Sequence, residues 1–99
     1  MPDGKRRRHM EEMGKKTVSL DRLKPGEKGW IKELLLEERT GRKLEDMGFQ
    51  RGRPVECAYQ SPWGDPAAYY VMGALVAIRR GEAGRIQVEI ESGMENGVK

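Results

Sequence analysis

Thr40-Gly41-Arg42-Lys43-Leu44-Glu45-Asp46-Met47-Gly48-Phe49 is the stretch from which the fold can be read outward. Thr40 is placed to cap a short helix over Gly41–Met47, because its hydroxyl can accept from an unpaired amide of the first turn. Leu44 and Met47, three apart, supply a two-point apolar stripe. Gly48 then stops the helix as the residue that tolerates a left-handed backbone. Phe49 packs back on the last turn, so Leu44, Met47 and Phe49 are expected in the core. A helix this short cannot build a core alone and needs a sheet to lie on.

The flanking segments supply strands. On the C-terminal side, Arg51-Gly52 reads as a turn and Pro54–Gln60 alternates, with Val55, Cys57 and Tyr59 on one face. Ser61-Pro62-Trp63-Gly64-Asp65-Pro66 is a loop by its prolines and glycine. Ala68–Met72 and Leu75–Arg79, split by Gly73-Ala74, fit a hairpin, and Gly81–Gly84 fits a turn or a single helical turn. Ile86–Ile90 alternates again. On the N-terminal side, Gly29–Leu36 reads as the first strand, Lys24-Pro25-Gly26-Glu27 as a turn, and Leu20 with Leu23 as one turn of helix. The expected fold is mainly β: a small barrel of about five strands, with one short helix after the first strand.

The charge is unevenly placed. The chain has 99 residues and a formal net charge of +3, all of it in residues 1–16, where Lys5, Arg6, Arg7, Arg8, Lys15 and Lys16 outnumber Asp3, Glu11 and Glu12. The other residues balance. Residues 1–16 are therefore expected to form a disordered basic arm, 17–91 the folded domain, and 92–99 a flexible tail. Lys5–Arg8 raise nucleic acid or anionic lipid as partners. A neutral domain with few surface aromatics argues against a stacking platform for nucleic acid, so an ordinary solvated tail is preferred. No apolar run is long enough to span a membrane and no secretory signal is expected. The single cysteine, Cys57, fits a reducing cytosol.

Little in the chain suggests catalysis. Cys57 shares a face with Val55 and reads as a small buried hydrophobe, with no His in the folded segment to act as its base. The glycines match no phosphate-binding motif. With one Cys and one His (His9), a Cys/His metal centre cannot form. Glu37, Glu38, Glu45, Asp46, Glu82 and Glu91 could coordinate a hard divalent ion, but acids interspersed with bases describe a solvated surface. No cofactor and no dedicated metal site are expected.

Binding residues are better represented. Arg42, Lys43, Glu45 and Asp46 fall on the helix face opposite Leu44, open to a protein partner. Leu34, Leu35 and Leu36 cannot all point inward along one strand, and Leu35 is the candidate partner or dimer contact, weighed against burial under the following loop. Trp63 is either a lid over the end of the barrel, the preferred reading, or an exposed anchor. Asp65 reads as a turn former.

These pieces, in this order, resemble the ferrous iron transport protein A family, the FeoA domain. The resemblance is carried by Leu20, Leu23-Lys24-Pro25-Gly26-Glu27-Lys28-Gly29, Ile31, Arg42-Lys43-Leu44-Glu45-Asp46-Met47-Gly48-Phe49, Arg51-Gly52, Val55 and Pro62-Trp63-Gly64-Asp65-Pro66. Val71-Met72-Gly73, Val76-Ala77-Ile78-Arg79, Glu82-Ala83, Ile86 and Val88 complete it. It implies an SH3-like barrel also similar to the C-terminal domain of DtxR-type metal-dependent repressors. It further implies a cytoplasmic accessory or regulatory role with the FeoB membrane transporter, without catalysis. A metal-responsive regulatory domain and an arm-based nucleic acid binder are the other functions considered, and a homo-oligomer is compatible with all three. The chain departs from the family pattern at Arg51, where Pro is usual, in the longer apolar link Leu34–Arg39, and in the basic arm.

Overall fold

The computed structural model describes residues 15–91. The basic run Lys5–Arg8, His9 and the tail 92–99 lie outside the described residues. Six strands are described: β1 (Lys16–Ser19), β2 (Lys28–Leu34), β3 (Pro54–Gln60), β4 (Ala67–Val71), β5 (Ala74–Ile78) and β6 (Ile86–Ile90). A 3-10 turn, Leu20–Arg22, follows β1; helix α1 (Glu38–Asp46) follows β2; the single turn α2 (Arg80–Ala83) precedes β6. The strands form one antiparallel sheet in the order β1-β6-β2-β3-β4-β5.

The sheet wraps a single core. Leu20, Leu23, Ile31, Leu44, Phe49, Val55, Cys57, Tyr69, Val71, Ile78, Ala83, Ile86 and Val88 are buried together, with Val18 of one edge strand and Val76 of the other packed against them. Both edges of a six-stranded sheet reach one core only if the sheet curls. Two register shifts help it to do so, one in the β2–β6 pair between Ile31 and Glu33, the other in the β3–β4 pair between Cys57 and Tyr59. Gly29 lies tight against β6: a Cβ there would be 2.9 Å from the Glu89 carbonyl oxygen.

Several expectations are corrected. Six strands stand where about five are expected, and the helix follows the second. The extra strand, β1, has one aliphatic residue and pairs with β6, some seventy residues away, so nothing local signals it. The helix begins at Glu38 rather than Gly41, its first turn closed by the Gly41 amide donating to the Glu37 carbonyl at 2.7 Å. Thr40 is inside that turn, and no side chain caps it. Tyr59 is exposed, because the register shift leaves Ala58 as the extra residue and turns Tyr59 to the outer face, opposite Ala68.

Met47 is not core either: it is 43% exposed. It is the helix C-cap, and the chain reverses immediately after it. Gly48 takes φ +114°, its amide donates to Glu45 O and the Phe49 amide to Leu44 O, both at 3.0 Å. This is the Schellman pattern, with Leu44 and Phe49 as its apolar pair. Phe49 occupies the inner position that Met47 would have taken.

Candidate functional site

The expected partner-binding residues are brought together only in part. α1 lays Leu44 on the core and presents Glu38, Arg39, Arg42, Lys43 and Asp46 around one open concavity, with Glu45 also exposed on the helix. Arg42 donates to Glu38 Oε2 at 2.7 Å, one turn back. That exposed i, i+4 pair holds the Arg42 side chain along the helix and contributes little stability. Leu35 is exposed three residues before α1, its amide anchored to Arg85 O at 2.7 Å, while Leu34 and Leu36 are half-buried.

The helix end extends this surface in a way the sequence did not suggest. β4 and β5 are joined by a two-residue turn, Met72-Gly73, with both residues at positive φ, 52° and 81°. Met72 lies against Gly48, where an added Cβ would be 3.0 Å from Met72 Cγ. Arg53 Nη1 also donates to Met72 Sδ. Exposed Met47 and Met72 therefore flank the C-terminus of α1, giving a mixed-charge helix with a flexible thioether rim. The sequence reading placed the hairpin split at Gly73-Ala74; the turn stands one residue earlier, because Ala74 pairs with Val71 and leaves Met72 and Gly73 as the two loop residues.

Trp63 belongs to a different part of the molecule. It is 86% exposed and not a lid. Its loop leads into the start of β4, whereas the Met72 turn follows the end of β4; five strand residues separate them by roughly 15 Å. The loop is held from within. Ser61 N and Oγ donate to Pro66 O, Gly64 N donates to Ser61 O at 2.7 Å, and the Asp65–Pro66 peptide is cis. Asp65 does more than form a turn: its Oδ1 accepts from the Arg80 amide at 2.9 Å, satisfying the first amide of α2.

Two buried groups have perturbed acidities. Burial, then the nearby Glu27 and Glu56 carboxylates, push the Cys57 thiol above its usual value, so it is held neutral and away from nucleophilic chemistry. Burial raises Tyr69 to about 12, with lesser contributions from Cys57 and Asp21, and its hydroxyl donates to Leu20 O at 3.5 Å. Neither opens onto the helix surface. Among the described residues, no three His, Cys, Asp or Glu side chains converge to hold a metal ion. No helix among them is long and apolar enough to cross a membrane.

Comparison with known proteins agrees with this architecture. The model of the FeoA domain matches residues 18–90. Among solved structures, the FeoA protein of Chlorobium tepidum is 33% identical with a TM-score of 0.73, over 77% of this chain and 72% of that one. The Stenotrophomonas maltophilia FeoA, a prokaryotic SH3-domain protein complexed with zinc, is 23% identical with a TM-score of 0.64, over 75% of this chain and 96% of that one. A manganese-dependent transcriptional repressor, 13% identical with a TM-score of 0.67, shares the fold over 76% of this chain and 41% of its own. No curated protein matches the chain in sequence.

Proposed function

The chain belongs to the FeoA domain family, associated with ferrous iron transport, and on that premise we propose that it is a non-enzymatic cytoplasmic accessory protein that docks on an FeoB-type iron transporter. The observation that carries this reading is the exposed face of α1, with Arg42, Lys43, Glu45 and Asp46 turned outward while Leu44 anchors the helix to the core. Leu35 at one end and Met47 with Met72 at the other add apolar contact to the charged centre. A charged patch with an apolar rim suits a protein surface of matching charge pattern. The neutral, buried Cys57 thiol supports the non-enzymatic part of the reading. Trp63 is a second contact point at most, separated from this face by the length of β4.

Titrating the isotope-labelled protein with the cytosolic domain of the FeoB transporter tests the reading. Amide shifts are expected at Leu35, along Glu38–Met47 and at Met72-Gly73. Shifts confined to the Trp63 loop would move the dock to the other end of the sheet. No shifts at low salt would remove the transporter as partner.

A further inference from the structure

We propose that the outer edge of β5 is a strand-pairing surface for a second copy of this chain, giving a two-fold dimer centred on Val76. The two ends of the sheet are unlike. β1 is four residues long, begins with Lys16 and follows Lys15, and charge and shortness blunt an edge against further pairing. β5, Ala74-Leu75-Val76-Ala77-Ile78, has no charge, no proline and no bulge. Among the described residues no strand lies on its outer side.

The ladder identifies the groups on offer. Antiparallel pairs alternate between hydrogen-bonded and non-bonded, and the pair closing a two-residue turn, here Val71 with Ala74, is a bonded one. The amides and carbonyls of Ala74, Val76 and Ile78 thus face β4, and those of Leu75 and Ala77 face outward. An antiparallel copy about a dyad at Val76 sets Leu75 opposite Ala77 of the second copy, and Ala77 opposite its Leu75, each a bonded pair. All five residues of β5 are matched in that register.

The side chains favour the same arrangement. Leu75 and Ala77 are exposed on the outer face with Tyr70, which is opposite Leu75, and Tyr59, which is opposite Ala68. The dyad joins these into one apolar surface and places a large Leu beside a small Ala at each step. It also sets Arg79 opposite Gly73, whereas a parallel copy would stack Arg79 on Arg79. The isologous contact closes on itself, and the edges left outside are the two charged β1 strands, so assembly stops at two.

A five-residue strand pair is a small interface, of the weak and transient class. The test is amide hydrogen exchange of the full chain at about 20 μM and about 1 mM, beside sedimentation at the same concentrations. The Leu75 and Ala77 amides are expected to slow at least about tenfold at the higher concentration, with Val76 protected at both. Leu75→Lys and Ala77→Lys, at exposed positions, should keep the dispersed spectrum of the folded domain and remove the concentration dependence. A monomer at about 1 mM would overturn the proposal. So would a dimer in which Leu75 and Ala77 still exchange freely, and so would protection of both amides that does not change with concentration, since an occupant from the same chain would then hold the edge.

Discussion

Tyr69 is the largest of the fully buried side chains among the described residues and shows the clearest change in acidity. Its phenol is held neutral in the folded state and ionises near its ordinary value of 10.0 once unfolded, against about 12 when folded. Below pH 10 both states keep the proton and stability does not depend on this group. Between about pH 10 and 12 the unfolded chain releases the proton first, so stability falls as pH rises, by roughly 2 kcal/mol over the window. The urea midpoint of the wild type should therefore drop between pH 9 and 11 by more than that of Tyr69→Phe, and equal drops would contradict the assignment. The same scale explains two departures from the sequence reading. Tyr59 and Met47 obey the right spacing for burial, yet one follows a bulge and the other stands at a chain reversal. Both devices change the facing of a residue without changing its place in a pattern.

Elements here are held by their ends. The Leu44–Phe49 reversal was legible because its parts are adjacent: an apolar residue, two polar ones, a cap, a glycine and an apolar anchor. Gly48 is essential to it on two counts, its φ of +114° and the 3.0 Å approach of Met72 to any added Cβ. Gly48→Ala should cost about 1–3 kcal/mol, read as a lowered urea midpoint, and should loosen the Met72 turn together with the helix end. A change of less than about 0.5 kcal/mol would show the reversal to be unstrained. The helix start was less legible, since Glu37 supplies no capping side chain and the first turn is closed by backbone alone. Asp65 was read as a local turn former because its partner, the Arg80 amide, is fifteen residues away.

At the scale of the molecule, the charged helix face lies beside the Met72 turn, Trp63 lies at the opposite end of β4, and the apolar outer face of β5 runs along the sheet edge from one of these ends to the other. If α1 carries the transporter contact, reversing Arg42 and Lys43 to Glu should weaken binding about tenfold, with a further salt dependence, while the unfolding midpoint is nearly unchanged because both side chains are exposed. Trp63→Ala in the same titration should leave affinity within about twofold. Equal losses from both variants would mean one partner spans both ends. The split between Trp63 and the helix residues could not be read along the chain, where Trp63 follows Met47 by sixteen positions but nothing says how β3 carries the chain between them.

By itself, the sequence determined the local grammar of this protein: the alternation of β3 and β6, the turn at Pro25-Gly26, the stop at Gly48, and an ordered series of motifs specific enough to indicate the family. Each of these is set by residues within a few positions of one another, where propensity, capping and backbone freedom act directly. The tertiary structure alone decided that residues 16–19 form a strand, that Tyr59 and Met47 face outward, that Met72 joins the helix surface, and that β5 is left as an uncharged edge. These outcomes depend on pairing and packing between segments far apart in the chain, whose energies arise only when the sheet has curled and its register is complete.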